Sequence, residues 1–208
     1  MYKLGIIGRG FVGSAVAHGF SAAVGYKSEI RIFDKNPKRS SNTLEDLILN
    51  SEIVFISVPT PSNSDGSNNL EILENCISEI NEVSAELGRY NLIYLIRSTV
   101  VPGTTRELQK RYPKLKFVFN PEFLTERSAN FDFISQARFV LGGEKENVKK
   151  VSALYKDRFG QTISIVETDF ESAELIKYVC NTFFATKVSF LNEMKLLSDS
   201  VNANWVDV

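Results

Sequence analysis

The sequence predicts an α/β fold: a doubly wound, mostly parallel sheet followed by one long helix at the C-terminal end. Short β-rich runs alternate with stretches of helical periodicity along residues 1–168. Several runs, such as Ile53–Val58, are apolar at successive positions, which is typical of strands that helices cover on both faces. From Phe170 to about Val201, apolar residues recur at helical spacing. Right-handed helical crossovers between parallel strands explain the alternation.

Each strand is predicted from its own run, and helices are expected between most of them. The polar tract 62–69, rich in Ser, Asn, Asp and Gly, is a loop by its turn chemistry. We expect a nucleotide-binding sheet domain over residues 1–168 and a helical segment over residues 169–208. The helix has a wide apolar face for one that lies on a single domain, which predicts a second contact surface. The predicted strands are Lys3–Ile7, Glu29–Phe33, Ile53–Val58, Leu92–Ile96, Lys116–Phe119, Phe139–Leu141 and Thr162–Val166.

Composition argues against several function classes. The 208 residues include 24 Lys and Arg against 25 Asp and Glu, so a net charge of -1 offers no cationic field for nucleic acid. Cys76 and Cys180 form no CxxC pair, and His18 is the single histidine, so we expect no metal site. We expect no leader, because the N-terminus enters a strand-like run at once, and no apolar stretch approaches the ~20 residues of a spanning helix. We therefore expect a cytoplasmic protein with neither nucleic-acid nor membrane partners.

A glycine-rich loop follows the first predicted strand. Gly8, Gly10 and Gly13 fit the pattern GxGxxG, with Phe11 and Val12 inside it, and the loop opens a helical stretch. The first glycine permits a tight turn, the second lets the backbone approach a pyrophosphate, and the third allows close packing of helix on strand. Amides at the helix N-terminus attract the anion. This context predicts a Rossmann-type dinucleotide site.

The end of the second predicted strand indicates which dinucleotide binds. Asp34 lies about 21 residues after Gly13, where an acidic side chain accepts hydrogen bonds from a ribose diol and repels a 2′-phosphate. Lys35 and Lys38 are nearby cations that could tolerate such a phosphate. Asp34 nevertheless favours NAD, which is the predicted cofactor, and Lys35 is assigned to its site.

Four further stretches carry a more specific pattern: Val58–Pro61, Ser98–Thr105, Asn120–Glu126, and Glu174–Asn181 with its continuation to Glu193. Their sequences VPTP, STVVPGTT, NPEFLTE and ELIKYVCN are similar, in that order, to motifs of the UDP-glucose/GDP-mannose dehydrogenase family. This family oxidises the C6 alcohol of a sugar nucleotide to a carboxylate with NAD. The resemblance covers nearly the whole chain.

The resemblance implies that the cofactor lies against the ends of two predicted strands. The hydroxyl of Thr99 is expected to face the nicotinamide side and to help hold a water. Thr99 also follows a strand, where α/β enzymes place functional side chains, although a threonine in a turn is often only a backbone cap. The cofactor contacts that the family implies are Val58, Pro59, Thr60, Ser98, Thr99 and Glu126.

The other two stretches are implied to hold the sugar. Lys177 and Asn181 are four positions apart, so one helix face presents both, and a cation with an amide can stabilise an oxyanion. Spacing alone favours a solvated lysine with a surface asparagine, and the resemblance favours the functional role. Glu122 and Glu126 lie on either side of the apolar pair Phe123-Leu124, which could partly desolvate either carboxylate and so suit it to general acid/base chemistry. The alternative is that both are acidic residues of a surface turn. The implied catalytic residues are Thr99, Glu122, Glu126, Lys177 and Asn181, and the implied substrate contacts are Glu122, Phe123, Leu124, Lys177 and Asn181.

We expect an NAD-dependent nucleotide-sugar dehydrogenase with a UDP-glucose-like substrate, which forms a homodimer through its C-terminal helix. The nucleophilic cysteine and the second nucleotide-binding domain of the family are expected to be missing from this chain. Cys180 lies in an apolar run, which indicates a structural thiol rather than a substitute nucleophile. A 6-phosphogluconate-type hydroxyacid dehydrogenase is one alternative, against which the VPTP and NPEFL stretches count. A non-catalytic NAD-binding module is the other.

Overall fold

The computed structural model describes residues 1–208 and confirms the predicted fold class. Seven strands form one sheet in the order β2-β1-β3-β4-β5-β6-β7. Neighbouring strands are parallel except β5 and β6, so the last two strands run opposite to the first five. The strands are β1 (Lys3–Ile7), β2 (Glu29–Phe33), β3 (Ile53–Ile56), β4 (Ile93–Ile96), β5 (Lys116–Phe119), β6 (Arg138–Gly143) and β7 (Ser164–Thr168).

Helices cover both faces of the sheet, as its apolar strands require. One buried cluster joins the sheet to α2, α3, α4 and the start of α7, and a second joins it to α1, α5 and α6. The helices are α1 (Phe11–Gly19), α2 (Leu44–Asn50), α3 (Glu71–Glu86), α4 (Thr104–Arg111), α5 (Ala129–Ile134), α6 (Lys145–Phe159) and α7 (Phe170–Ser200). None of them combines the length and the apolar composition that crossing a bilayer requires.

Four strands differ in their bounds from the predicted ones, and the smallest difference is that β4 begins at Ile93 rather than Leu92. β3 ends at Ile56 rather than Val58, because the chain turns away there to form the edge of a groove. β6 is longer at both ends than the predicted Phe139–Leu141. β7 begins at Ser164 because Thr162 still belongs to the turn after Gly160, whose φ is +96°.

The topology determines where a ligand can bind. The chain runs from β1 to β2 on one side of β1 and then crosses back to β3 on the other side, so the crevice above β1 and β3 is a topological switch point. The carboxyl ends of β1, β3, β4 and β5 lie along the same edge of the sheet. The loops that follow these strands carry most of the predicted site residues.

Candidate functional site

The glycine loop leaves open space at the start of α1. Gly8 has φ +87°, and a Cβ there would lie 2.7 Å from the Ser57 carbonyl oxygen, so a side chain is excluded. A Cβ on Gly13 would lie 2.0 Å from the carbonyl oxygen of Gly8, which is the close packing that the motif predicts. A Cβ on Gly10 would meet nothing within 4 Å, and no side chain caps α1. The uncapped helix N-terminus therefore fits the pyrophosphate of a dinucleotide.

Asp34 follows β2 and contacts the glycine loop directly. Its Oδ2 accepts a hydrogen bond from the amide of Arg9 at 2.7 Å, and its Oδ1 accepts one from the amide of Asn36 at 2.8 Å. These bonds hold the carboxylate at a small groove of about 110 Å³, here named the Asp34 groove. The apolar side chains of Ile72 and Cys76 line its other wall, as a flat aromatic base would need. Predicted residues Gly8, Asp34, Lys35, Val58 and Pro59 all line this groove.

A second groove, of about 230 Å³, follows the carboxyl ends of the strands and is here named the strand-end groove. Ser98 donates to the carbonyl of Val58 at 2.6 Å, and Thr60 donates to the carbonyl of Thr99 at 2.8 Å, so the loops after β3 and β4 are joined. Val58 and Pro59 line both grooves, which therefore adjoin. The strand-end groove is lined by the predicted residues Gly10, Phe11, Val12, Val58, Pro59, Thr60, Ser98, Thr99 and Glu122, and also by Ser57 and Arg97.

Lys177 on α7 forms a buried ion pair with Glu122, which lines this groove. Its Nζ lies 2.9 Å from Glu122 Oε1 and also donates to the backbone carbonyl of Glu122. Lys177 is 4% exposed, and its ammonium lies 5.3 Å from the centre of the Phe123 ring. The amide of Leu124 donates to Glu122 Oε2 at 2.6 Å, so the carboxylate is fixed on both oxygens. The alternative of a solvated lysine, which spacing alone favoured, is excluded, because Lys177 is a buried and paired cation beside the groove.

The turn of α7 that carries Lys177 is also tied to two other loops. The buried carboxylate of Glu174 accepts hydrogen bonds from the amides of Gly103 and Thr105, at 2.6 and 2.8 Å, and thereby caps α4. Burial raises the pKa of Glu174, and these hydrogen bonds oppose the rise. Asn68 donates to the hydroxyl of Tyr178 at 2.8 Å. One helical turn therefore holds the loops that follow β3, β4 and β5.

Thr99 and Glu122 line the strand-end groove, but the other predicted catalytic and substrate residues do not. Lys177 lies behind Glu122, and Phe123 and Leu124 pack toward the two cores. Glu126 is exposed and lines a separate groove with Phe11 and Ser14. Asn181 is exposed on α7, one turn beyond Lys177. The expected desolvation of Glu126 by its apolar neighbours is absent, because Phe123 and Leu124 turn toward the two cores while the chain carries Glu126 outward.

The two cysteines occupy different surroundings. Cys76 is buried at the wall of the Asp34 groove, and burial raises the pKa of its thiol to about 12. Cys180 is half-buried, with its sulfur 3.8 Å from Arg138 Nη2, in an apolar groove between α7 and β6. Its sulfur therefore does not line the strand-end groove.

The predicted site omitted a buried polar cluster at the ends of β4 and β5. Arg97 Nη1 donates to Asn120 Oδ1 at 2.5 Å, and the hydroxyl of Tyr155 donates to the same oxygen at 2.6 Å. Glu174 was omitted as well. A signal existed for Arg97, which directly precedes Ser98 at a strand end, and for Glu174, which lies one turn before Lys177 on the same helix face.

Two family models match the chain. The NAD binding domain of the UDP-glucose/GDP-mannose dehydrogenase family matches residues 38–158, and the central domain of the same family matches residues 171–208. The UDP-glucose 6-dehydrogenase of Rickettsia felis is 33% identical over 180 residues, which are 84% of this chain and 39% of that protein. An uncharacterized protein of Methanocaldococcus jannaschii is 42% identical over 164 residues, 76% of this chain and 18% of that protein. The chain thus spans less than half the length of these relatives.

Solved structures show the same relationship. A ternary complex of GDP-mannose dehydrogenase from Pseudomonas aeruginosa superposes with a TM-score of 0.83 at 26% identity, over 98% of this chain and 55% of that one. A UDP-glucose dehydrogenase from Pyrobaculum islandicum gives 0.82 at 28% identity, over 99% and 55%. A 3-hydroxyisobutyrate dehydrogenase of Mycobacterium tuberculosis, at 14% identity and a TM-score of 0.74, shares the fold alone. The predicted family and the predicted cofactor are confirmed: the chain belongs to the UDP-glucose/GDP-mannose dehydrogenase family and contains its NAD binding domain.

Proposed function

We propose that this chain is the cofactor-binding part of an NAD-dependent nucleotide-sugar dehydrogenase, which oxidises the C6 alcohol of a UDP-glucose-like substrate toward the carboxylate. The observation that supports it most is the buried pair of Lys177 and Glu122 beside the strand-end groove. A dinucleotide laid along the two adjoining grooves would place its adenosine end near Asp34 and its nicotinamide end near Thr99. The reacting carbon would then lie close to the ion pair.

The side chains at this end can perform the first oxidation of an alcohol. NAD bound in the two grooves would supply the hydride acceptor for this oxidation. Lys177 can donate a hydrogen bond to the alcohol oxygen and stabilise the negative charge that develops there. The Glu122 carboxylate, 2.9 Å from Nζ, can take the hydroxyl proton. Thr99 is assigned to holding a water in the groove, and the exposed Asn181 and Glu126 to contacts completed when the substrate binds.

NADH formation with UDP-glucose, GDP-mannose and 6-phosphogluconate as parallel substrates tests the proposal. We expect turnover with a sugar nucleotide, lost in Glu122→Gln and retained in the exposed control Glu82→Gln. Turnover with 6-phosphogluconate alone would favour the hydroxyacid alternative. Tight NAD binding without turnover on any of the three would contradict catalysis by this chain alone and would make it a cofactor-binding fragment or a non-catalytic module.

We further propose that two copies of the chain pair through α7. Its residues 181–193 are all exposed, and a contiguous apolar surface of this kind marks an interface. Light scattering over a range of concentrations is expected to show a dimer, and Phe184→Asp is expected to weaken it. A strict monomer at high concentration would contradict the pairing. The exposed apolar side chains of α7 are Leu175, Val179, Phe183, Phe184, Val188, Phe190, Leu191, Leu196 and Leu197.

The cytoplasm is the compartment that we propose for this chemistry. Cys76 and Cys180 are both free thiols, which suits a reducing compartment. Cell fractionation with detection of the protein would test this, and recovery in the extracytoplasmic fraction would contradict it.

A further inference from the structure

Arg97 is a buried cation to which the proposed chemistry gives no role. It follows β4, is 2% exposed, and lines the strand-end groove. Its Nη1 donates to Asn120, whereas its Nε and Nη2 are buried without any hydrogen-bond partner in the protein. Unpaired donors on a buried charged group cost free energy, and their retention in a fold calls for an explanation.

No carboxylate of the chain neutralises Arg97. Glu122 lines the same groove but is paired with Lys177. Asn120 is uncharged, and burial raises the pKa of Tyr155 to about 12, so its hydroxyl is a neutral donor to Asn120 rather than an anion. The floor of the groove therefore carries the full positive charge of the guanidinium.

We propose that Arg97 supplies the fixed positive charge that stabilises the phosphate oxygens of a dinucleotide in the strand-end groove. The inference rests on the proposed function, because it concerns the groove assigned to NAD. The start of α1 lines the same groove and offers amides to these oxygens, and Arg97 adds charge from the floor. A pyrophosphate is a dianion, and its attraction to a guanidinium is stronger in a partly buried groove than in water.

The neighbours of Arg97 are satisfied without it. Asn120 Oδ1 still accepts from the hydroxyl of Tyr155 at 2.6 Å, and Asn120 Nδ2 donates to the Val140 carbonyl at 2.9 Å. Arg97 Nη1 also donates to the Tyr155 hydroxyl at a longer 3.4 Å, and the guanidinium carbon lies 5.6 Å from the centre of the Phe133 ring. An apolar side chain of similar length should therefore fit, and replacing a buried charge in this way is often neutral or stabilising. A role in ligand binding thus predicts weaker binding with no loss of stability, whereas a structural role predicts lower stability with unchanged binding.

Arg97→Met tests the proposal against the matched variant Arg158→Met. Binding of NAD and of ADP-ribose, which keeps the pyrophosphate and lacks nicotinamide, is measured by calorimetry, and stability by urea unfolding without ligand. We expect Arg97→Met to bind both ligands about 10-fold more weakly, with an unchanged or higher urea midpoint. Arg158 donates to the Gly19 carbonyl and packs over Phe159, outside both grooves, so Arg158→Met should lower the midpoint and leave binding unchanged. Arg97→Lys keeps the charge and should recover part of the affinity.

Each other outcome counts against the proposal. Equal affinity of Arg97→Met and the unmodified chain for ADP-ribose overturns it. A loss for NAD with none for ADP-ribose also overturns it, because the charge would then act on the nicotinamide end. A lower midpoint with unchanged binding assigns Arg97 a structural role. If the unmodified chain binds neither ligand, the proposed function fails first and this inference fails with it.

Discussion

The two halves of α7 form one continuous helix in opposite surroundings. Residues 170–180 pack on β5, β6 and α4, and they bury Phe170, Glu174 and Lys177. Residues 181–193 are all exposed, although they too include large apolar side chains such as Phe183, Phe184 and Val188. Local helical periodicity is the same in both halves, so it decides that a helix forms and not which part is buried. The comparison teaches that a lysine on α7 becomes a candidate catalytic group only where the tertiary structure removes it from water.

The largest difference is expected for a matched pair of phenylalanines. Phe170 is 0% exposed and Phe184 is 61% exposed. Phe170→Ala should lower the free energy of unfolding by about 4 kcal/mol because it leaves a cavity, and Phe184→Ala by less than ~0.5 kcal/mol. Urea unfolding at protein concentrations too low for self-association measures both. Similar losses would mean that the second half of α7 is buried in the single chain.

A smaller effect is expected for the lysines. Lys177→Met leaves the Glu122 carboxylate buried without its partner, which should cost about 3 kcal/mol of unfolding free energy. Lys187→Met, on the exposed half, should change it by less than ~0.5 kcal/mol. The double variant Lys177→Met with Glu122→Met should recover part of the loss. An undiminished loss in the double variant would show that packing, not charge, dominates at this position.

Glu171 and Glu174, one turn apart in the first half of α7, allow a comparison of an exposed and a buried carboxylate. Glu174→Gln places an amide against the N–H groups of Gly103 and Thr105 and should cost about 2 kcal/mol. Glu171 pairs with Arg106 at the surface, with the two side chains 41% and 39% exposed, so Glu171→Gln should cost less than ~1 kcal/mol. Thermal and urea unfolding of both variants measure which substitution costs more unfolding free energy. Equal costs would remove the argument that Glu174 caps α4.

The smallest effect concerns the start of the helix and depends on pH. Asp169 caps α7, and the hydrogen bonds from the Ser172 amide and hydroxyl lower the pKa of its carboxyl. Asp169→Ala should cost about 1 kcal/mol at neutral pH. A depressed folded pKa gives stability that is present above the unfolded value of 3.8 and is lost as the pH falls below it, so the cost should fade there. Asp199→Ala, near the other end of α7, should show no such cost, and a loss at Asp169 that persists in acid would contradict the assignment.

Much of the cofactor site was predictable, because its residues act through local backbone geometry. Gly8, Gly10 and Gly13 need only a strand, a turn and a helix in succession. Asp34 needs only the end of the next strand. The structure places them after β1, at the start of α1 and after β2, within a short stretch of chain. Their placement at one edge follows from the parallel order of the strands.

The remainder of the site depends on contacts between distant parts of the chain. Glu174 meets Gly103 across 71 positions, and Lys177 meets Glu122 across 55. No periodicity in the sequence determines such pairings. Glu126 shows the opposite outcome. Its motif predicted a place in the cofactor and substrate site, but Phe123 and Leu124 pack toward the cores and Glu126 lies in a separate groove.

The sequence by itself determined the order and type of the elements, the glycine loop and the acid after β2, since hydrophobic periodicity and turn chemistry are properties of neighbouring residues. Only the tertiary structure decided that β6 and β7 run against the other strands, that Lys177 is paired and buried, and that Arg97 is buried without an anion. The physical reason is that burial and electrostatic pairing depend on which surfaces the packed helices exclude from water. The same helical sequence pattern therefore gives a candidate site in one half of α7 and an exposed apolar surface in the other.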